Sequence, residues 1–287
     1  MLSGLALAAL AALTKAAEQL LHRFVVKARD PLSYAFAWNG LMALLYLPLA
    51  ASDASWPREP ISWALVLGAS CLWAAAAYTG FNAYSLLEVS YASPLTKLRV
   101  LLVLILSVVF LGEHLPPTKL AGTALLLLGA LLIANPMRTR RQKSESRGVL
   151  HALATAALAS GALVIDKRAT QYFTPGAYSF LVFFLPSVML VPLVRKRRDM
   201  VWRVIASSAK PLLAAATLSA TSYYLTLAAF RVEEASVVVP IAETHVLFTV
   251  ILGMVLLGER EDVGRKLGAS LAIVAGAVLI SGKLPVF

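Results

Sequence analysis

Charged residues are scarce in this sequence of 287 residues: Asp, Glu, Lys and Arg make up 14% of it, against 59% for apolar residues. Soluble domains carry about 25% charged residues, so the chain has too little polar surface for a water-soluble globule of its size. Its mean hydropathy of +0.77 points the same way. A single cysteine, Cys71, excludes an intramolecular disulfide and leaves the redox compartment unspecified. The composition therefore predicts an integral membrane protein.

Ten apolar runs are long enough to cross a bilayer, which takes roughly 17–25 helical residues. They cover residues 2–22, 33–52, 62–86, 91–111, 118–135, 148–165, 176–194, 211–230, 236–257 and 266–282. We predict an all-α membrane protein with ten transmembrane helices. As a multi-pass protein, we expect it in the plasma (inner) membrane.

The two halves of the sequence resemble each other. Residues 90–115 align with residues 235–261 at an offset of 146, which places Pro94 on Pro240. The predicted divisions are a first five-helix repeat at 1–135, a basic linker at 136–147 and a second five-helix repeat at 148–287. Because five is odd, the second repeat must enter the membrane from the opposite side. The repeats are therefore predicted to be inverted, an arrangement that suggests transport by alternating access.

Basic residues outnumber acidic ones by 26 to 15. They lie mostly in short loops between spans, so membrane orientation explains them and we expect no nucleic acid partner. Seventeen lie on the linker side of the predicted spans, three lie inside spans, and six lie on the other side: Arg58, Lys119, Lys167, Arg168, Arg231 and Lys283. The positive-inside rule then places the linker in the cytoplasm and both termini outside.

Sequence motifs of catalysis are missing. The chain has no HExxH, CxxC or P-loop motif and no GxSxG motif with partners. Its nearest acidic cluster, Glu233-Glu234, is unlike the DxxD pattern that holds metal and diphosphate. An enzyme is therefore the weakest functional class, and we expect no cofactor or metal.

Three basic residues, Lys15, Lys97 and Arg99, fall inside predicted spans, where a charge at the bilayer centre costs about 2.5–3.5 kcal/mol. Lys97 is the repeat equivalent of Glu243, and we expect the two to pair at the repeat interface. One interpretation is a static ion pair that fixes the register of the halves. Another is a binding site in which Lys97 holds an anionic or zwitterionic substrate and Glu243 binds its amine or a coupling proton. A third is that the side chains do not meet.

The polar residues predicted to lie near Lys97 and Glu243 also allow either a structural or a substrate-binding role. Arg99 lies about 200° around an ideal helix from Lys97, so we expect one of them to meet a neighbouring helix instead of the same cavity. His245, the repeat equivalent of Arg99, is either a hydrogen-bonded packing residue or a proton relay. Lys15 either pairs with Glu18 on its own helix or lines the cavity.

Pro94 and Pro240 lie near the starts of predicted helices 4 and 9. A proline in the first turn of a helix is merely tolerated. Deeper in the helix it removes a hydrogen bond, kinks the chain and frees a carbonyl that can face a cavity. The sequence leaves both interpretations open.

Three further side chains are candidates to line a cavity. Tyr78 and Tyr224 share one repeat position. Aromatic residues near span ends are usually interfacial belt anchors, but these two lie inside their spans, so they are either belt anchors or cavity-lining residues. Asn82 follows Tyr78 by one helical turn. Gly112-Glu113, which ends helix 4, is expected to be architectural: a glycine suits a helix C-terminus and a carboxylate suits a cap.

Two motifs, FLGEHLPPTKLAG at 110–122 and LLGEREDVGRKLGA at 256–269, each join an apolar helix ending in LGE to a helix rich in small residues. Over nearly its whole length the chain resembles the drug/metabolite transporter superfamily, EamA type. The resemblance implies a ten-helix secondary carrier for small metabolites, often an exporter, with a central cavity lined by both halves. It also implies that both termini are cytoplasmic, the opposite of the orientation that the basic residues indicate.

The residues and the resemblance together predict a secondary active transporter, an exporter, that works by alternating access on a small metabolite. Three intramembrane bases against one clear intramembrane acid favour an anionic or zwitterionic substrate. A proton or a counter-substrate is the expected coupling partner. The alternatives are a flippase for a lipid-linked anion, which would use the same basic residues, and a membrane-embedded enzyme. The sequence does not indicate an oligomeric state.

Overall fold

The chain folds into helices joined by short connections. A computed structural model describes residues 3–25, 31–53, 56–87, 95–134, 146–256 and 263–281. The first half contains α1 (Gly4–Val25), α2 (Pro31–Ser52), α3 (Pro60–Leu86), α4 (Arg99–Leu106, extended by a π-helical turn, Ser107–Leu111) and α5 (Pro117–Ala134). The second contains α6 (Ser146–Ala169), α7 (Pro175–Val194), α8 (Arg198–Phe230), a broken ninth helix of segments α9a (Ala235–Ala242) and α9b (His245–Leu256), and α10 (Val263–Ser281).

Several of these helices can cross a membrane. Within the described ranges, five stretches have the length and hydropathy of a membrane span: Leu32–Ser52, Pro60–Gly80, Ser146–Ala169, Pro175–Ala206 and Ala209–Phe230. Large apolar side chains also point outward, with Leu44, Phe110 and Leu271 exposed by 65%, 70% and 72%. Exposed apolar surface on this scale belongs against lipid. The prediction of an all-α membrane protein with ten helices in two halves is confirmed.

Helix contacts follow the repeat. In the described structure α1 packs against α8 and α3 packs against α6, and these two pairs are exchanged when the halves are exchanged. Repeat equivalents also contact each other directly: α2 with α7, α4 with α9a, and α5 with α10. This pattern is that of a two-fold relation between the halves. It places helices 4 and 9 at the interface between them.

The contact between α5 and α10 is close because glycines line it. A Cβ atom added to Gly122 would lie 2.6 Å from the carbonyl oxygen of Gly276, and one added to Gly276 would lie 2.5 Å from the carbonyl oxygen of Gly122. Gly129 meets the backbone of Ala269 in the same way, at 2.6 Å. Small residues that let backbones touch are the usual means of helix packing in membranes.

Helix α8 is longer than the sequence predicted. Its apolar run suggested a start near residue 211, but the helix begins at Arg198 and spans 33 residues. At 1.5 Å per residue it is about 50 Å long, well beyond a hydrocarbon core of about 30 Å. The predicted loop after helix 7 is therefore a short 3₁₀ turn, Arg195–Arg197, followed by helix. Hydropathy reports where the apolar core ends and not where the backbone stops being helical.

The LGE motif at the end of helix 4 connects the two halves. Gly112 adopts a left-handed conformation with φ of 69°, which glycine allows without strain, and the N–H of Glu113 bonds back to the carbonyl of Ser107 at 3.2 Å. This turn directs the Glu113 carboxylate to the start of α9a, where it accepts hydrogen bonds from the backbone N–H groups of Ala235 at 2.7 Å and Ser236 at 2.9 Å. Glu113 thus caps a helix of the other half.

Candidate substrate-binding site

Both helices at the repeat interface are interrupted at equivalent positions. Leu98 forms a turn between helical residues of helix 4, and Glu243 and Thr244 form a turn between α9a and α9b. The N–H of Leu98 bonds to the carbonyl of Leu95 at 3.2 Å, and the N–H of Thr244 bonds to the carbonyl of Ile241 at 3.0 Å. The two bonds join equivalent residues of the two repeats. The inverted repeat therefore places two tightened, 3₁₀-type turns close together.

Pro240 lies inside α9a, in its second turn. At this depth the missing N–H removes a bond of the helix interior, which weakens the helix just before the turn at Glu243. The first-turn interpretation does not apply to this proline. Pro94 lies outside the described residues.

The structure brings Lys97, Arg99 and Glu243 together between the breaks. The Glu243 carboxylate accepts hydrogen bonds from Lys97 Nζ and from the Arg99 guanidinium, whose Nε lies 3.0 Å from Oε1. The expectation that Arg99 and Lys97 point to different places is wrong. It took the two directions around the helix as decisive, whereas the long side chains of Lys97 and Arg99 both reach the Glu243 carboxylate.

His245 extends this cluster toward α1. Its Nε2 lies 3.2 Å from Lys97 Nζ and 2.9 Å from Gln19 Nε2, and its Nδ1 lies 3.0 Å from the carbonyl oxygen of Ala242. In a neutral imidazole with its hydrogen on Nδ1, Nδ1 donates to the carbonyl, and the single lone pair of Nε2 is shared by the two donors, Lys97 and Gln19. Gln19 also accepts a hydrogen bond from Thr249 at 3.4 Å. These polar contacts fix the side chain of His245 beside Lys97.

A second ion pair lies on α1. Lys15 Nζ is 2.6 Å from a carboxylate oxygen of Glu18, one turn along the helix. Lys15 is 34% exposed and Glu18 is 3% exposed. The same asymmetry holds in the central cluster, where Lys97 and Arg99 are 14% and 29% exposed against 5% for Glu243. Cations thus form the accessible side of both groups.

The remaining candidates lie on other surfaces. The ring of Tyr78 on α3 packs edge-on against His151 of α6 at 6.4 Å between centroids, and Asn82 donates to the carbonyl of Tyr78 at 2.7 Å. Tyr78 and Tyr224 are 51% and 38% exposed. The contacts described for Tyr78 and Asn82 therefore place them along α3 and α6, and their predicted cavity-lining role stays a prediction.

One buried carboxylate, Asp166, is not among the site residues predicted from the sequence. Asp166, near the end of α6, is 0% exposed and accepts hydrogen bonds from Tyr178 at 2.7 Å, Tyr223 at 2.9 Å and Trp73 at 3.0 Å. The apolar run that predicted helix 6 ends at residue 165, so Asp166 was assigned to the following loop. The helix in fact continues to Ala169.

Other charged groups join the ends of helices. Lys119 on α5 pairs with Glu234 and lies 3.1 Å from the Ser236 hydroxyl. Lys167 donates to the carbonyls of Phe230 and Glu233 at the end of α8. Within the ranges that the structure describes, no three His, Cys, Asp or Glu side chains come together in a way that could hold a metal ion.

Two helical halves related by a two-fold axis, with apolar outer surfaces and charges gathered between two broken helices, define a multi-pass membrane transporter. The family follows from the sequence. Residues 2–135 and residues 146–282 each match the EamA-like transporter family, and the chain belongs to that family. It is therefore a small-molecule transporter of the drug/metabolite transporter superfamily and not an enzyme.

Comparison with an individual solved structure supports the fold and gives no information on the substrate. A solved crystal structure of a protein aligns with a TM-score of 0.75 at 16% sequence identity, covering 98% of each chain. At this identity the likeness establishes a shared architecture and nothing about substrate. No curated protein sequence matches the chain at a significant level.

Proposed function

We propose that this transporter is a secondary active carrier of a small anionic or zwitterionic metabolite, and that Lys97 and Arg99 bind its carboxylate or phosphate group. The observation that carries this proposal is the sharing of one buried carboxylate, Glu243, by two cations. Among Lys97, Arg99 and Glu243, two positive charges face one negative charge. This balance favours an anionic group as the ligand of the two cations.

The exposure of these groups supports the same polarity of substrate. The side chain of Glu243 is nearly fully buried, whereas the side chain of Arg99 is 29% exposed. A ligand that enters the space between the halves meets guanidinium and ammonium groups before it meets a carboxylate. Arg offers paired N–H donors that match a carboxylate or phosphate, and these bonds strengthen where water is excluded.

Binding then changes the partners of Glu243. When a substrate anion takes one of the two cations, the Glu243 carboxylate becomes free to bind the amine of a zwitterion or a proton. His245, held by Gln19 and Ala242, keeps Lys97 in place during this exchange. Because the cluster lies between the two halves, their rocking opens it to one side and then to the other. The family resemblance favours export as the direction.

We assign the other predicted positions to an access path that leads to this cluster. Lys15, the more exposed partner of its pair with Glu18, adds a cation on α1. Tyr78, Asn82 and Tyr224 would line the route along α3 and α8. We further propose that the protein lies in the inner membrane with the linker in the cytoplasm, as the distribution of basic residues indicates.

Thermal unfolding of the purified protein tests the substrate class. A ligand that binds only the folded state at tenfold its Kd adds about 1.4 kcal/mol of stability. The probes are amino acids, dicarboxylates, sugar phosphates, nucleosides and organic cations, applied to the wild type and to Lys97→Met. We expect carboxylates or phosphates to raise the midpoint by a few degrees in the wild type and not in Lys97→Met.

Lys119→Met is the matched control, because Lys119 is also a buried lysine in a salt bridge, 11% exposed against 14% for Lys97, but far along the chain from the helix breaks. It should keep the response to anions. Stabilisation by cations alone, or equal loss in both variants, contradicts the proposed site. A water-soluble probe that stabilises the protein is then tested for movement into vesicles. A response only to lipid-linked phosphates would instead identify a flippase.

A further inference from the structure

Asp166 joins four helices at a point away from the central cluster. The carboxylate belongs to α6, and its three hydrogen-bond donors belong to α3 (Trp73), α7 (Tyr178) and α8 (Tyr223). Asp166 and Tyr178 are fully buried, whereas Trp73 and Tyr223 are partly exposed. The described contacts of the central cluster do not include this group.

Its surroundings differ from those of the other buried carboxylates in the described ranges. Glu243 is held by two cations and Glu18 by Lys15, while Glu113 caps the N-terminus of α9a. All three donors to Asp166 are neutral, and no salt bridge of the described structure reaches it. The neighbouring cation on its own helix, Lys167, is bound to the carbonyls that end α8. A carboxylate fully buried in protein needs compensation for its charge, and in the absence of a cation a proton provides it.

The geometry suits both protonation states. Oδ2 accepts two hydrogen bonds, from Tyr223 and Trp73, whereas Oδ1 accepts one, from Tyr178. A proton on Oδ1 can be donated to the Tyr178 hydroxyl oxygen once that hydroxyl rotates, because a phenol both donates and accepts. The two bonds to Oδ2 stay as they are. The site can therefore change its charge from −1 to 0 while only one hydroxyl hydrogen moves.

We propose that Asp166 is the site at which a proton binds to couple transport, separate from the substrate cluster at Lys97 and Glu243. This role rests on the proposed function, since coupling requires a transported substrate. The titratable groups that face Asp166 are Tyr178 of α7 and Tyr223 of α8, and α3 presents the indole of Trp73.

The packing connects this group to the substrate cluster. Next to Tyr223 on α8, the hydroxyl of Ser222 donates to the carbonyl of Ala11 on α1 at 2.8 Å. One and two turns further along α1 are Lys15 and Gln19, and Gln19 contacts His245. Movement of α8 against α6 changes how far Trp73 and Tyr223 cover Asp166. The same movement shifts α1. The Asp166 site, through α8, and the substrate cluster, through His245, thus both act on α1. A shared element of this kind is the physical requirement for coupling.

Infrared difference spectroscopy of the full-length protein in lipid vesicles tests proton binding without a known substrate. The probe is pH alone, and the signal is the carbonyl stretch of a protonated carboxylic acid. Solvent-exposed carboxylates give such a band only in acid, so the diagnostic signal is a separate band that titrates at higher pH. We expect this higher-pH band in the wild type and in Glu243→Gln, and its loss in Asp166→Asn. If the higher-pH band remains in Asp166→Asn, or is missing from the wild type, the proposal is overturned.

A second variant covers the case in which Asp166→Asn fails to fold. Tyr178→Phe removes only the hydroxyl that contacts Oδ1, so the frequency and midpoint of the band should shift while the band persists. Tyr172→Phe, a hydroxyl removal six residues away in the chain, is the control and should leave the band unchanged. An unshifted band in Tyr178→Phe contradicts the assignment to Asp166.

Coupling itself is read from the anion identified by thermal unfolding. In vesicles, Asp166→Asn should retain stabilisation by that anion and lose its accumulation driven by a pH gradient. If accumulation in the variant matches the wild type, the coupling role of Asp166 is wrong although the substrate site stands. If no anion stabilises the wild type, the proposed function fails while the infrared titration still decides whether Asp166 binds a proton.

Discussion

The glycine contact between α5 and α10 makes a prediction whose size follows from the structure. In Gly276→Ala the new Cβ would lie 2.5 Å from the carbonyl oxygen of Gly122 and 2.8 Å from the backbone nitrogen of Leu126. Ordinary contact begins near 3.4 Å, so the two backbones must separate by about 0.9 Å. Both obstructing atoms belong to a helix backbone and cannot rotate away.

Overpacking of this kind costs about 1–3 kcal/mol, against which alanine gains up to about 1 kcal/mol over glycine in helix propensity. We therefore expect Gly276→Ala to lower the free energy of unfolding by about 1–2 kcal/mol, measured as a drop of several degrees in the thermal midpoint of the purified protein. Gly268→Ala on the same helix is the control, since nothing lies within 4 Å of its Cβ, and it should be neutral or stabilising.

A double variant adds a second check. Gly122→Ala obstructs the same crossing from the other helix, at 2.6 Å from the carbonyl oxygen of Gly276. Once one substitution has separated the helices, the second costs little, so the two effects should not add. If Gly276→Ala is as stable as Gly268→Ala, the backbones are not in the close contact described, and the reasoning is refuted.

Three further outcomes are expected. Glu113→Gln removes the charge that caps α9a and should cost about 1 kcal/mol in thermal unfolding; an unchanged midpoint would contradict the capping role. Lys167→Met leaves two carbonyls of the α8 terminus without their ammonium donor and should cost about 1.5–3 kcal/mol, whereas the exposed neighbour in Arg168→Met should have little effect. In a Cys71→Ser background, Ser146→Cys should resist a membrane-impermeant thiol reagent in intact cells, because we place the linker in the cytoplasm; labelling there would support the opposite orientation.

The overall fold could be predicted because its signals are local or periodic. Apolar runs reveal spans, and an offset of 146 residues reveals the repeat. The same offset paired Lys97 with Glu243, and the structure places these two side chains in contact.

Other features depend on the reach of side chains and on where helices end, which periodicity does not report. Positions about 200° apart on an ideal helix predict different surroundings for Lys97 and Arg99, but both long side chains reach the one carboxylate of Glu243. Asp166 was overlooked because a charged residue at the end of an apolar run looks like the start of a loop. Its compensation comes from tyrosine and tryptophan on three other helices, and partners so far apart in the chain leave no local pattern.

The repeat makes the backbone of the central site symmetric and leaves its charge asymmetric. Equivalent turns interrupt helices 4 and 9, but one carries Lys97 and the other Glu243. Two cations at these positions would repel each other when the halves closed without substrate, and two carboxylates would do the same. With opposite charges, the Lys97–Glu243 contact cancels one pair of charges, and Arg99 adds a second cation to the same carboxylate. Under the proposed function this asymmetry serves an anionic substrate, because the anion can replace Glu243 as the partner of one cation while Glu243 keeps the other.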